Sequence, residues 1–172
     1  YYDEISNGKL IISCEPGCIV DWETADHDYS YYVYGDQGFG TDDISQSAAA
    51  LAVEMIMKAY DNDVDFSSFN NGNNAIDVVI LIAEGWMNGA SNQFWPHFGI
   101  MSNAIILDGV SINKYIIIPE QYHLDAYGAL ANDIHPIGTI CHELGHVLGL
   151  PDLYDKSASG AAGIGEWGLM GS

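Results

Sequence analysis

Residues His142-Glu143-Leu144-Gly145-His146 place the tightest constraint on what this chain can fold into. On a helix, two histidines four positions apart lie on one face, one turn from each other. The flanking residues agree with one. Pro136 suits a first turn, Ile137, Ile140, Leu144 and Val147/Leu148 supply a buried face, Gly149 gives a left-handed stop, and Pro151 prevents continuation. On such a helix both imidazoles reach one tetrahedral zinc ion. Glu143 then flanks the ion without binding it, placed to take a proton from an activated water and pass it to a leaving amine. A catalytic zinc takes a third protein ligand and keeps one position open for water. In the string His142-Glu-x-x-His146-x-x-Gly149-x-x-Asp152 the glycine lets the backbone double back, which makes Asp152 the candidate third ligand. Glu166 and Asp155 are the alternatives. An aspartate here should leave the zinc a slightly weaker Lewis acid than a third neutral imidazole would.

Composition narrows the rest. With 172 residues, 48% of them hydrophobic, the chain has the size of one domain with its own core, residues 1–172. The longest apolar runs, such as Ile76 to Ala83, are strand-sized, so no membrane span is expected. Four lysines, no arginine and 24 acidic residues give a formal charge of −20, which repels a phosphate backbone and excludes nucleic acid as a partner. The same charge has two readings: bound cations among the carboxylates, or a solvated acidic surface. The chain begins at Tyr1 with no basic or apolar leader, and is expected to be a piece of something longer. Cys14 and Cys18 flank Glu15-Pro16-Gly17, where a bridge between them is geometrically open, while Cys141 reads as a small apolar side chain and not a nucleophile.

The element order predicts a mixed α+β domain. Lys9 to Cys14 and Cys18 to Trp22 read as a hairpin, and Asp26 to Gly40 as an aromatic-rich loop. A long amphipathic helix is expected from Thr41-Asp42-Asp43 through Tyr60. Ile76 to Ala83 reads as a central strand, Gly85 to Met101 as a loop, and Ala104 to Leu107 with Ser111 to Ile118 as two strands joined at Asp108-Gly109. His97 is read mainly as a surface or packing residue, with the cleft as the alternative, and His27, His123 and His135 as structural or exposed.

The run from His142 to Asp155, followed by Gly163-Ile-Gly-Glu-Trp-Gly-Leu-Met-Gly-Ser172, resembles the immune inhibitor A family of secreted bacterial metallopeptidases. Tyr2 to Leu10, Asp65-Phe66-Ser67 with Asp77, Trp95-Pro96-His97 and Tyr115 to Glu120 also fall where that family has similar elements, so the likeness covers most of the chain. The family is similar to the metzincins. This implies a twisted mixed sheet with a long backing helix, an active-site helix, and a methionine-bearing turn beneath the zinc, for which Met170 is the match; the chain ends two residues after it. The resemblance also implies an extracellular, monomeric catalytic domain acting on proteins or peptides. Many relatives carry an aspartate-rich, calcium-like loop where this chain has Asn70-Asn71-Gly72-Asn73-Asn74. A calcium site on Asp65 and Asp77 therefore stands against an Asn/Gly turn capped by its own side chains.

The function expected is zinc-dependent peptide hydrolysis with Glu143 as base and acid. Two rivals are a zinc-containing binding or adhesion module that has lost turnover, and a zinc hydrolase acting on something other than a peptide. Ala104 to Leu107 is the strand expected to take a substrate as an added strand.

Overall fold

The computed structural model describes residues 2–10, 12, 16–40, 44–87, 91–122, 133–157 and 161–171. The described chain opens with a short helix, α1 (Tyr2–Ile5), and a second, α2 (Tyr29–Val33), interrupts the aromatic segment. A longer helix, α3 (Ala48–Asp61), precedes a 3-10 turn at Phe66–Phe69. The strands β1 (Val79–Met87), β2 (His97–Leu107), β3 (Val110–Tyr122) and β4 (Asp133–Ile134) then lead into α4 (Ile137–Val147), and a 3-10 turn at Gly165–Trp167 follows. The result is α+β with a mixed sheet: β3 pairs in parallel with β1 and antiparallel with β2, and its end pairs antiparallel with β4. Among the described residues, no helix is long and apolar enough to cross a membrane.

The central strand is β3, and not the Ile76–Ala83 run. Ile116, Ile117 and Ile118 are at most 1% exposed, whereas Ile80 and Ile82 of β1 are 41% and 55% exposed. Both runs are mostly apolar, but among the described strands only β3 has neighbours on both edges. Alternation along β3 sends Tyr115 and Ile117 into the main core, where Ala52 and Ile56 of α3 meet Ile112 and Phe94. Each such side chain contributes roughly 1.5–3 kcal/mol by leaving water.

Several boundaries differ from the sequence reading for identifiable reasons. The helix expected from Thr41 begins at Ser47, whose Oγ accepts from the Ala50 amide at 3.2 Å and whose own hydroxyl donates to the Ile44 carbonyl; Thr41 to Asp43 lie outside the described residues. No strand occurs among the described residues of 9–22, and Ile19 and Trp22, 84% and 68% exposed, have no core to face. Strand β2 starts inside the segment expected to be a loop. Gly99 looks like a loop residue, yet a Cβ there would lie 2.3 Å from the Tyr115 ring, so the glycine makes room for that ring across the strand pair. The Asp108-Gly109 turn forms as expected, with φ of 48° and 81°, the left-handed pair that joins β2 to β3.

Cys18 is disulfide-bonded and Cys141 is free; Cys14 lies outside the described residues.

Candidate active site

Helix α4 forms where the histidine spacing requires it, although the expected apolar stripe is only half-buried, at Ile140, Leu144 and Val147. Ile137 and Leu148 are 72% and 45% exposed, while Glu143 and Gly145 are buried. The helix meets β2 and β3, and its close approach on the other side depends on Gly145, where a Cβ would come within 2.4 Å of the Met170 sulfur and 3.0 Å of the Tyr2 hydroxyl. Tyr2 donates to the Cys141 carbonyl at 2.6 Å, fixing α1 under the same helix. Met170 is buried directly beneath the histidine-bearing turn.

The two imidazole rings stand with centroids 4.9 Å apart. His142 Nδ1 lies 2.8 Å from the Leu169 carbonyl oxygen, and His146 Nδ1 2.8 Å from that of Leu150. A carbonyl only accepts, so each Nδ1 donates its proton there and Nε2 is the ring nitrogen left for a metal.

Past the helix the chain turns back as the glycine spacing predicts. Gly149 has φ of 87°, its amide donates to the His146 carbonyl, and the Leu150 amide donates to the Gly145 carbonyl, both at 2.9 Å. This reversal carries Asp152 to the imidazoles. Its Oδ1 is 2.9 Å from His142 Nε2 and 3.3 Å from His146 Nε2. Two Nε2 atoms and a carboxylate oxygen thus face one point, and Oδ1 is buried without a hydrogen-bond partner. With Nε2 unprotonated such a trio is repulsive on its own and becomes favourable around a cation, so the residues present fit a divalent ion. The other oxygen, Oδ2, is paired with Lys156. Burial works against the Asp152 charge, but Lys156 and the two imidazoles prevail and hold the carboxyl below its ordinary range.

Glu143 is 6% exposed, with Oε2 accepting from the Phe98 amide of β2 at 2.7 Å. Burial raises its carboxyl above the usual range, opposed by that amide and the imidazoles. A carboxylate oxygen of Glu143 and the histidine nitrogens lie within 4.8 Å of one another.

These groups line a cleft of about 480 Å³ whose wall includes Phe39, Trp95 and His97. His97 is therefore a cleft residue, the alternative of its two readings. Its Nδ1 is 2.7 Å from the Trp95 carbonyl and its Nε2 3.1 Å from the Tyr115 hydroxyl, and burial lowers its basicity. Tyr154 also lines the cleft, stacked against His142 at 6.5 Å between centroids. The part of β2 that meets Glu143 is Phe98, at the opposite end of the strand from Ala104–Leu107. His27 stacks on Tyr31 and His135 is buried beside Tyr122, both away from this cluster; His123 and the Glu166 side chain lie outside the described residues.

Asp65 and Asp77 have separate partners. Asp65 Oδ1 caps the 3-10 turn through the Ser67 amide and hydroxyl, and Asp77 Oδ1 accepts from Asn71 Nδ2. Asn70 Oδ1 accepts from the Gly72 and Asn74 amides. This is the self-capped Asn/Gly turn, and neither aspartate belongs to a group of three candidate ligands among the described residues.

Sequence reasoning missed Lys156 and the main-chain groups of Phe98, Leu150 and Leu169. Main-chain groups carry no residue signature. Lys156 had one: it is one of four cations in a strongly acidic chain and lies four positions after Asp152.

The segment carrying Asp152 is itself tightly held. The Leu153 amide donates to the Met170 carbonyl at 2.8 Å and the Ile164 amide to the Leu153 carbonyl at 3.1 Å. Gly163, with φ of 60°, lets these two segments meet, since a Cβ would fall 1.8 Å from the Leu153 oxygen. Gly163→Ala is expected to cost about 1–3 kcal/mol, read as a lower thermal midpoint together with weaker metal binding; an unchanged midpoint would show that the turn is not tied as described.

The catalytic-domain description of the immune inhibitor A peptidase M6 family matches residues 1–172. The chain belongs to this peptidase family. It is also 25% identical over 196 aligned residues to pre-pro-metalloprotease PrtV in two strains of Vibrio cholerae serotype O1, an alignment covering 100% of this chain and 20% of the relative. The chain thus spans about a fifth of the length of these curated relatives. The cleft holds His142, Glu143 and His146, three residues that could hold a metal ion.

Proposed function

We propose that residues 1–172 act as a single, zinc-dependent endopeptidase domain that hydrolyses extracellular proteins, with His142, His146 and Asp152 holding the ion. The observation that carries this reading is the convergence of two Nε2 atoms on the buried Asp152 Oδ1, which has no hydrogen-bond partner. Three nitrogen and oxygen donors of this kind are the ligand set of a catalytic zinc, which when bound supplies Lewis acidity toward a carbonyl and acidifies a water.

The chain's own residues do the rest. The Leu169 and Leu150 carbonyls hold the imidazoles in the metal-binding tautomer. The Phe98 amide fixes Glu143 through Oε2, leaving its other oxygen to take the proton from water and return it to the departing amine. Met170 forms the floor under the histidines, the role of a methionine-bearing turn. Among the described strands β2 lies on an outer edge of the sheet, and an extended substrate laid along it near Phe98 would pass through the cleft. A disulfide at Cys18 and the relative's name, pre-pro-metalloprotease, support an oxidising, extracellular setting.

Metal removal tests the reading. Casein hydrolysis should stop on chelation and return with zinc, with one zinc per chain by elemental analysis. A protein that binds zinc yet cleaves no protein substrate would support the binding-module rival, and hydrolysis that survives complete zinc removal would overturn the proposal.

A further inference from the structure

We infer that Lys156 is a positioning residue for the metal site, occupying one oxygen of Asp152 so that the carboxylate offers the ion a single, charge-compensated oxygen. The inference rests on the zinc peptidase reading above. The geometry behind it is a division of labour within one carboxylate: Oδ1 faces His142 Nε2 and His146 Nε2, and Oδ2 faces the Lys156 ammonium. The Asp152 side chain is 4% exposed, whereas Lys156 is 68% exposed and approaches from the solvent side of the cleft. The backbone near the lysine is fixed. The Asp155 amide donates to the Ala161 carbonyl at 2.9 Å, and the Asp155 carboxylate accepts from the Ser157 amide and hydroxyl at 2.8 and 2.7 Å. Lys58, by contrast, is engaged by Asp26 and Glu54 far along the chain.

Two consequences follow from placing an ammonium on Oδ2. A carboxylate with both oxygens free can grip an ion through both and fill the position a reacting water needs, whereas one with Oδ2 engaged has one oxygen to give. An aspartate also donates negative charge to the ion, which weakens it as a Lewis acid relative to a third imidazole; a charge-assisted hydrogen bond on the far oxygen draws that charge away. In this account the Asp152–Lys156 pair behaves toward the ion as a net-neutral ligand.

The test compares wild type, Lys156→Met and Lys156→Arg, each loaded with zinc for kinetics and with cobalt(II) for visible absorption. Lys156→Met should lower kcat on casein by about 10- to 100-fold, the range found when an outer partner of a ligand is lost. Zinc affinity from chelator competition should be undiminished, because the freed oxygen can now join the ion. The cobalt bands should lose intensity as the coordination number rises, and Lys156→Arg should return kcat and the bands toward wild type. Unchanged kcat and cobalt bands in Lys156→Met would overturn the inference, as would weakened zinc binding with unchanged bands, which would make Lys156 a scaffold residue only. A wild type that takes up no zinc would defeat the peptidase reading itself; a wild type that binds zinc and cleaves casein, beside an indifferent Lys156→Met, would defeat this inference alone.

Discussion

Glu143→Gln is expected to lower kcat by about a thousandfold, within the 10²–10⁴ range of a lost general base, equivalent to about 4 kcal/mol of barrier. Glutamine is the right replacement because its amide oxygen still accepts from the Phe98 amide, so the 2.7 Å anchor between α4 and β2 persists. Zinc content should remain at one per chain, since the carboxylate flanks the ion and does not hold it. Thermal stability should hold or rise slightly, because a buried acid with a raised proton affinity becomes neutral. Steady-state casein cleavage and zinc analysis on the same preparation check this. Activity within tenfold of wild type would remove Glu143 from the chemistry, and loss of the metal would make it a ligand.

Asp152→Ala is expected to act on the other half of the site. Zinc affinity should fall by more than about a hundredfold, beyond the loss of an outer-shell partner, and activity at limiting zinc should vanish. Without metal, the variant should unfold at a midpoint close to wild type, because the lost carboxylate oxygen was buried and unpartnered, and the lost Lys156 pair is largely exposed on the lysine side. Added zinc should then separate the two proteins. At about a thousand times its dissociation constant a ligand adds about 4 kcal/mol to the folded state, an increment the wild type should show and the variant should lack. Equal zinc-induced shifts in both would mean that a different side chain completes the site.

How far the sequence alone reached depended on whether a residue's signal was local. The convergence of His142, His146 and Asp152 was legible because helical period and a left-handed glycine are local rules: His142, His146, Gly149 and Asp152 each take a position that follows from neighbours within one turn. The Asp108-Gly109 hairpin was legible for the same reason. Strand β2 was not. Its glycine is explained only by the Tyr115 ring on the next strand, a contact between residues sixteen apart that no local pattern encodes. The buried side of α4 was misread because Gly145, which reads as a weak point in a helix, is the place where Met170 and Tyr2 approach. The aromatic and apolar residues near the N-terminus read as strands, yet without a core to face they stay exposed. Lys156 was passed over because attention to overall acidity averages away a single cation, while the site depends on where that cation stands.

Anomalous diffraction from crystals of the zinc-loaded protein, collected at the zinc edge, tests the central claim most directly. One strong peak is expected at about 2.0–2.2 Å from His142 Nε2, His146 Nε2 and Asp152 Oδ1, with Glu143 beside it and unligated. A peak bound by a different set of side chains, or a zinc-loaded crystal with no peak between these three atoms, would contradict it.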